Sequence, residues 1–374
     1  MNYLKILKKT LLWRGLRKLK YLFINIQNKK YNIKYNGKYL TPELKSDIQK
    51  SIKKSHYMYF KSERLANKLT DNWTGELNKP KNIKFIKDAV PVVMCANETF
   101  APYMAVMLQS LLYFSNSQRI YHFIIFERGF SKKTEEKISN QVKKHENCFI
   151  DFIDVKDVFN EIPIHPGSIW TIDTFLRLFI PYWLDDYPKV IYLDSDMIMK
   201  SDIGILYDID IQAYCIGASI DVWLNAKLHI NNKYYTCFKR PVFIFLEDWT
   251  RYFNNGVLIF NTEKFKKRIS YHELFKFAIY YTNRYSVHVV DQDIFNYFFK
   301  TDYYQLSTDW NYGWYRNEFG NQKYYASNED SKIIHFVSSY KPWKDLQEIN
   351  ENIDTIAYRK FANTVPIFND YMKN

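Results

Sequence analysis

From residue 90 onward, short apolar runs alternate with longer stretches in which apolar positions return every three or four residues. Short runs bounded by polar clusters read as strands, and the longer periodic stretches as helices with one buried face. Strands are predicted at 90–96, 120–126, 149–154, 190–193, 215–219, 257–260 and 333–337, and helices at 104–114, 132–145, 174–184, 272–283 and 293–299. Strands interleaved with helices in this way describe an α/β fold, a sheet covered by helices. No internal repeat or low-complexity linker interrupts the pattern, and the polar, Lys- and Asn-rich stretch 27–90 is the expected domain junction.

The first thirty residues carry a different pattern. Leu4, Leu7 and Leu11, then Leu12, Leu16, Leu19 and Phe23, recur at helical steps, while Lys5, Lys8, Lys9, Arg14, Arg17, Lys18 and Lys20 fill much of the remainder. Residues 1–89 hold 22 Lys and Arg against 6 Asp and Glu, whereas residues 90–374 hold 31 against 34, so the net charge of +13 belongs to the N-terminal segment alone. A basic amphipathic helix suits an anionic membrane surface, and its charges interrupt it too often for a transmembrane span of about 20 apolar residues. The other reading is a helix packed on the following domain with a solvated basic face. The near-neutral remainder has no recognisable nucleic-acid module, so no nucleic-acid partner is expected.

Composition adds little to fold class and something to chemistry. With 374 residues, 47% of them hydrophobic, the chain can bury a large core. Its 32 Tyr and 28 Phe supply core volume or flat faces for sugar rings, and the stretch 303–325 together with Trp223, Tyr234 and Tyr235 suits either use equally. Cys95, Cys148, Cys215 and Cys237 lack metal-type spacing and follow no signal-like segment, so they read as reduced cytosolic thiols.

The most informative segment is Lys189-Val-Ile-Tyr-Leu-Asp194-Ser195-Asp196, an apolar strand running into two carboxylates spaced two apart. Alternate side chains of an extended chain share a face, so Asp194 and Asp196 can point the same way and hold a divalent cation. The plain alternative is a surface turn. Position favours the cation, because ligands of open α/β sheets bind at the carboxyl ends of strands.

Around this segment the chain resembles the retaining glycosyltransferases of family 8, which include bacterial lipopolysaccharide and lipooligosaccharide galactosyl- and glucosyltransferases. The resemblance covers about residues 90–345 and rests on ordered motifs: Val92-Val-Met-Cys-Ala-Asn-Glu-Thr-Phe100, Thr174-Phe-Leu-Arg177-Leu-Phe-Ile-Pro181, Val190-Ile-Tyr-Leu-Asp-Ser-Asp196, Gly217-Ala-Ser-Ile-Asp221, Phe253-Asn-Asn-Gly-Val257, Asp291-Gln-Asp293 and Ile334-His-Phe-Val-Ser-Ser-Tyr-Lys-Pro-Trp343. It implies a glycosyltransferase A-type fold, a Rossmann-like mixed sheet flanked by helices. Residues 1–89 then form a basic N-terminal extension, 90–345 the nucleotide-sugar-dependent domain and 346–374 a C-terminal helical tail.

Carried onto this sequence, the resemblance implies Asp194, Asp196 and His335 as metal ligands, for Mn2+ with Mg2+ as the alternative. Cys95, Ala96, Asn97, Thr99 and Phe100 look like the uridine site, although family members often carry an acid where Asn97 stands. Arg177 resembles the family arginine that reaches the donor; taken alone it reads equally as a helix-face ion pair. Ser195, Ser338 and Lys341 fall at the diphosphate, Ser338 replacing a common family glycine. Asp221, Asn254, Asn255, Asp291 and Gln292 offer polar groups for the sugar, with Gln292 at the family's proposed nucleophile position and Asp291 as the fallback. Asp291 and Asp293 also suit a helix N-cap and first turn.

The expected activity is therefore retaining transfer of a hexose, galactose favoured over glucose, from a UDP-sugar to a glycan or glycolipid acceptor in bacterial surface polysaccharide synthesis. An amide is a weak nucleophile, which favours same-face attack by the acceptor over a covalent intermediate. The expected place is cytoplasmic, peripheral at the inner face of the membrane through residues 1–30. A non-catalytic nucleotide-sugar- or glycan-binding protein is the alternative.

Overall fold

The computed structural model describes residues 63–75, 79–80, 83–164, 171–222, 224, 248–284, 290–300, 302–313, 330–337, 341–344 and 352–373. The basic helix expected within residues 1–30 lies outside these, as do Trp223, Tyr234, Tyr235, Cys237, Trp314, Tyr315 and Ser338.

In chain order the first elements are α1 (Glu63–Asn72), β1 (Ala89–Asn97), α2 (Ala101–Phe114), β2 (Ile120–Arg128), α3 (Lys132–Val142) and β3 (Cys148–Asp154). A 3-10 segment (Ile172–Leu178) leads into α4 (Ile180–Trp183), β4 (Lys189–Leu193), β5 (Met197–Met199), α5 (Ile203–Asp208) and β6 (Ile216–Ile220). Then follow β7 (Phe253–Asn261), α6 (Thr262–Arg268), α7 (Tyr271–Arg284), α8 (Val290–Phe299), β8 (Tyr304–Leu306), β9 (Tyr312–Gly313), β10 (Ile333–His335), α9 (Ile353–Ala362) and α10 (Pro366–Lys373).

Seven strands make one mixed sheet in the order β3-β2-β1-β4-β7-β6-β8. The β1–β2, β2–β3, β1–β4 and β6–β8 pairs are parallel, and β7 runs antiparallel to β4 and β6. Helices cover both faces, which explains why β1 is apolar almost throughout rather than alternating. Val92 and Met94 enter the core on one face and Val93 the core on the other, as the two-residue period of a strand requires. The helix α2 is apolar nearly all round and correspondingly buried, whereas α3 buries only Thr134, Ile138, Gln141 and Val142 and opens on a Ser131 cap.

Two peripheral regions join this core. Trp73 packs against Tyr271 and Phe275 of α7, with ring centroids 5.8 and 6.1 Å away. At the other end Tyr103 of α2 stacks on Trp343 at 4.0 Å and meets Phe368 of α10 edge-on.

The seven predicted strands are all present, several with longer bounds. The helix expected over 174–184 is instead the 3-10 segment followed by α4, because Pro181 lacks an N–H and fits only the first turn of a new helix. The strand expected to reach 337 ends at His335: the Phe336 N–H still bonds to the carbonyl of Asp196 at 2.9 Å, but the Val337 N–H folds back to the His335 carbonyl at 3.0 Å and turns the chain out of the ladder. β5, β8 and β9 escaped prediction because two or three residues are too few to show a period.

A second, three-stranded sheet, β5-β10-β9, decides the site. It begins immediately after Asp196, and its antiparallel register sets His335 opposite Met197.

Candidate active site

β4 pairs with β1 through Met94 and Leu193, so the chain leaving β4 at Asp194 runs beside the end of β1 at the carboxyl edge of the sheet. Ser195 Oγ donates to the carbonyl of Cys95 at 2.8 Å, tying the two ends together. On the other side the Asp194 N–H donates to the Gly256 carbonyl of β7 at 2.8 Å. Asp194 and Asp196 are thereby held between two strands, and the small sheet delivers His335 against them. One ligand atom from each of Asp194, Asp196 and His335 lies within 4.8 Å of the others.

The histidine is oriented from behind. Its Nδ1 lies 2.9 Å from Asn311 Oδ1, and the Asn311 amide donates in turn to Asn254 Oδ1 at 2.9 Å. That chain makes Nδ1 a donor and turns Nε2 toward the carboxylates, 3.2 Å from Asp196 and 3.7 Å from Asp194. Two carboxylates and an imidazole converging in this way suit a divalent first-row cation better than Ca2+, which prefers oxygen alone. Gly256 makes the approach possible: a Cβ there would stand 2.2 Å from His335 Cε1.

Both carboxylates have further partners. Tyr192, two residues back on the same strand face, donates its hydroxyl to Asp194 at 2.6 Å. Lys341 donates to Asp196 at 2.6 Å. Burial opposes ionisation of Asp196, but the charges of Lys341 and His335 outweigh it and hold the carboxyl well below the usual carboxylate range.

Arg177 links this corner to a buried polar floor. Its guanidinium lies over the Tyr192 ring and reaches Asp194 at 2.9 Å, Asp291 at 3.2 Å and the Asn255 carbonyl at 2.7 Å. Both readings of Arg177 remain physically compatible: it forms ion pairs and touches a cation ligand. Asp291 and Gln292 lie in the first turn of α8, where the helix N-terminus favours acids. Gln292 Nε2 donates to Asp221 at 2.9 Å, while its Oε1 accepts from the Asn254 amide and the Asn255 N–H, each at 3.3 Å. Asn255 donates to Asp291 at 3.2 Å, and its own Oδ1 is buried with no hydrogen-bond partner among the described residues. Burial pushes the Asp291 carboxyl up despite Arg177, and the charge of Asp194 adds to the push. Asp293 points elsewhere, accepting from Tyr252 and Tyr281 at 2.6 and 2.8 Å in the core.

Asn97 and the turn Thr99–Phe100 occupy the end of β1, one strand from Asp194 to Asp196; Thr99 and Phe100 are exposed and Ala96 is buried. Burial pushes the Cys95 thiol up. The structure thus gathers Arg177, Asp194, Asp196, Asp221, Asn254, Asn255, Asp291, Gln292, His335 and Lys341 into one connected network. It adds to that network Tyr192 and Asn311, which sequence reasoning missed, and beside it, at the end of β1, Asp173 and Arg128, which hold Asn97. Tyr192 had a signal, two residues before Asp194 on a strand; the others had none.

Solved structures of similar fold include the bifunctional glycosyltransferase WbbM, at a TM-score of 0.66 and 22% identity, covering 80% of this chain and 54% of that one. The galactosyltransferase LgtC, in complex with donor and acceptor sugar analogs, aligns at a TM-score of 0.57 and 19% identity, covering 74% and 96%. At such identities the likeness establishes the fold, a glycosyltransferase A-type mixed sheet flanked by helices. By sequence, general stress protein A of Bacillus subtilis (strain 168) is 24% identical over 262 residues, 67% of this chain and 86% of that protein. Residues 91–347, from within the first sheet strand to beyond Lys341, match the Glycosyl transferase family 8 description, and the chain belongs to that family.

Proposed function

We propose that the chain is a retaining hexosyltransferase that uses a UDP-sugar, galactose favoured over glucose, and a divalent cation held by Asp194, Asp196 and His335. The observation that carries this reading is the convergence of those three side chains at the sheet edge, with Asn311 turning the imidazole Nε2 inward. When bound, Mn2+, or Mg2+ in its place, supplies Lewis-acid neutralisation of charge developing on the leaving diphosphate. The same corner offers Lys341 as a second positive group, and Ser195 and Ser338 are assigned to the phosphate path. Asn97, Thr99 and Phe100, with the backbone of Cys95 and Ala96, are assigned to the uridine.

On the sugar side, the floor of Asp221, Asn254, Asn255, Asp291 and Gln292 is assigned to the hydroxyls and to an oxocarbenium-like centre. The unpartnered Asn255 oxygen suits a hydroxyl donor. Gln292 has both ends of its amide engaged and carries no charge, which supports same-face attack by the acceptor over a covalent intermediate. Asp291 is the only carboxylate of the Asp291-Gln292 pair, and its hold on Arg177 makes it an orienting group first.

LgtC is a galactosyltransferase, and that likeness in fold supports galactose as the donor sugar. The acceptor is proposed to be a glycan or glycolipid of a bacterial surface polysaccharide, with residues 1–30 attaching the chain to the inner membrane face. Among the described residues no helix is long and apolar enough to cross a membrane. Hydrolysis of UDP-galactose, UDP-glucose and UDP-N-acetylglucosamine with Mn2+, with and without chelator, tests the reading. Fastest turnover of UDP-galactose and its loss in chelator are expected; undiminished turnover in excess chelator would sink the cation assignment.

A further inference from the structure

Asn97 closes β1 and Arg128 closes β2, and the parallel register sets the two residues side by side. Asp173, in the first turn of the 3-10 segment, reaches the same place and is buried. Its Oδ2 accepts from Asn97 Nδ2 at 2.8 Å and from Arg128 Nη2 at 3.1 Å, while its Oδ1 accepts from Arg128 Nε. Burial opposes ionisation of Asp173, but the hydrogen bonds from Arg128 and Asn97 outweigh it and hold the carboxyl below its ordinary value. A charged acceptor therefore stands against the Asn97 amide at neutral pH.

An asparagine amide that turns by half a revolution exchanges its oxygen and nitrogen. Here the turn is opposed at both ends. Oδ1 accepts from the Phe100 N–H at 3.1 Å, and reversal would set that N–H against an NH2 group and the Asn97 carbonyl against a carboxylate. Asn97 is only half-buried, and one Oδ1 lone pair and one Nδ2 hydrogen are left over among the described residues. The end of β1 thus presents an acceptor and a donor side by side, in one fixed order.

That order is what separates two pyrimidines of equal shape. Uracil shows an N3–H donor next to an O4 acceptor; cytosine shows an N3 acceptor next to an N4 amino donor. A freely turning amide satisfies either, and a locked one satisfies one of them. We propose that Arg128 and Asp173 are positioning residues for nucleobase selectivity, locking the Asn97 amide in the orientation that pairs with uracil and misfits cytosine. The inference rests on the reading that a uridine nucleotide binds at this strand end.

The test is calorimetric titration of UDP and of CDP, with Mn2+, into the full-length protein and its Asp173→Asn variant. The replacement is isosteric but can turn either its oxygen or its nitrogen toward Asn97, so it no longer dictates the order. Wild type is expected to bind UDP about tenfold or more tightly than CDP, and Asp173→Asn to bring the two within about threefold, chiefly by gaining CDP affinity. Arg128→Gln should move the ratio the same way, and Arg128→Lys, which keeps a cation on Asp173, should restore most of it. Arg128 is partly exposed, so its variants carry the test if Asp173→Asn does not fold. Parallel weakening of both nucleotides at an unchanged ratio would overturn the inference and leave the cluster a structural brace. A wild-type protein that binds UDP no better than CDP would instead overturn the uridine reading, and this inference with it.

Discussion

Asp196 and Asp291 are carboxylates of the same site, and their surroundings drive them in opposite directions. Asp196 sits in the cation corner, where Lys341 and His335 overcome burial and keep it ionised. Asp291 sits in the polar floor, where burial and the charge of Asp194 raise its carboxyl although Arg177 is 3.2 Å away. The corner is open, its donor atoms converging on one point with the second atom of each group held from behind. The floor is closed, since Gln292, Asn254, Asn255 and Asp221 spend most of their hydrogen bonds on one another. An open cluster works by what it binds, and a closed one by the fixed polarity it presents.

Removing a corner ligand should do the most damage. Asp196→Ala is expected to lower Mn2+-supported donor hydrolysis by about a thousandfold, because charge on the leaving diphosphate goes unneutralised. Its thermal melt should stay near wild type. Near-normal turnover would erase the distinction between corner and floor.

The floor should be more forgiving. Gln292→Ala is expected to slow transfer by about a hundredfold, the scale of a lost fixed dipole, without abolishing it. No glycosyl adduct should accumulate by mass spectrometry, and the product should keep the donor's anomeric configuration by NMR. A sugar trapped on Asp291 would give the floor a nucleophile and reverse the assignment.

Behind the corner, Asn311→Leu removes the acceptor that orients His335. The expected result is about tenfold weaker apparent Mn2+ affinity, with turnover largely recovered at saturating Mn2+. A loss that added metal cannot repair would mean that Asn311 serves packing.

The smallest effect concerns stability outside both regions. Asp173 has its carboxyl lowered in the folded chain, so its contribution is fully present above the ordinary value of 3.8 and is lost as pH falls through the lower folded value. Asp173→Asn should therefore cost about 1–2 kcal/mol at pH 7, a difference that shrinks on acidification below that value. A melting difference that stays constant down to pH 3 would argue against an ionised Asp173.

Legibility in the sequence followed the range of the interaction. The strands β1 to β4 and β7 announce themselves by apolar runs, and Asp194 and Asp196 by their spacing after one of them. Tyr192 belongs to the same local pattern and was there to be read. The sugar-side residues entered through resemblance of short motifs, without any indication of how they touch one another. Asn97 stood out as a departure from a family acid, yet nothing near it pointed to Asp173, which reaches it only because the 3-10 segment folds over the ends of β1 and β2.

What the sequence determined by itself was therefore the alternation of strands and helices, the carboxylate pair at the end of β4 and the concentration of positive charge before residue 90. Each depends on backbone period or on residue type, which a local window contains. Only the tertiary structure decided that Asn311 would orient His335, that Arg177 would join Asp194 to Asp291, and that Arg128 and Asp173 would lock the Asn97 amide. Those contacts depend on which strands pair and in what register. A shift of one residue between β5 and β10 would turn the imidazole to the opposite face, and no local period in the chain encodes that choice.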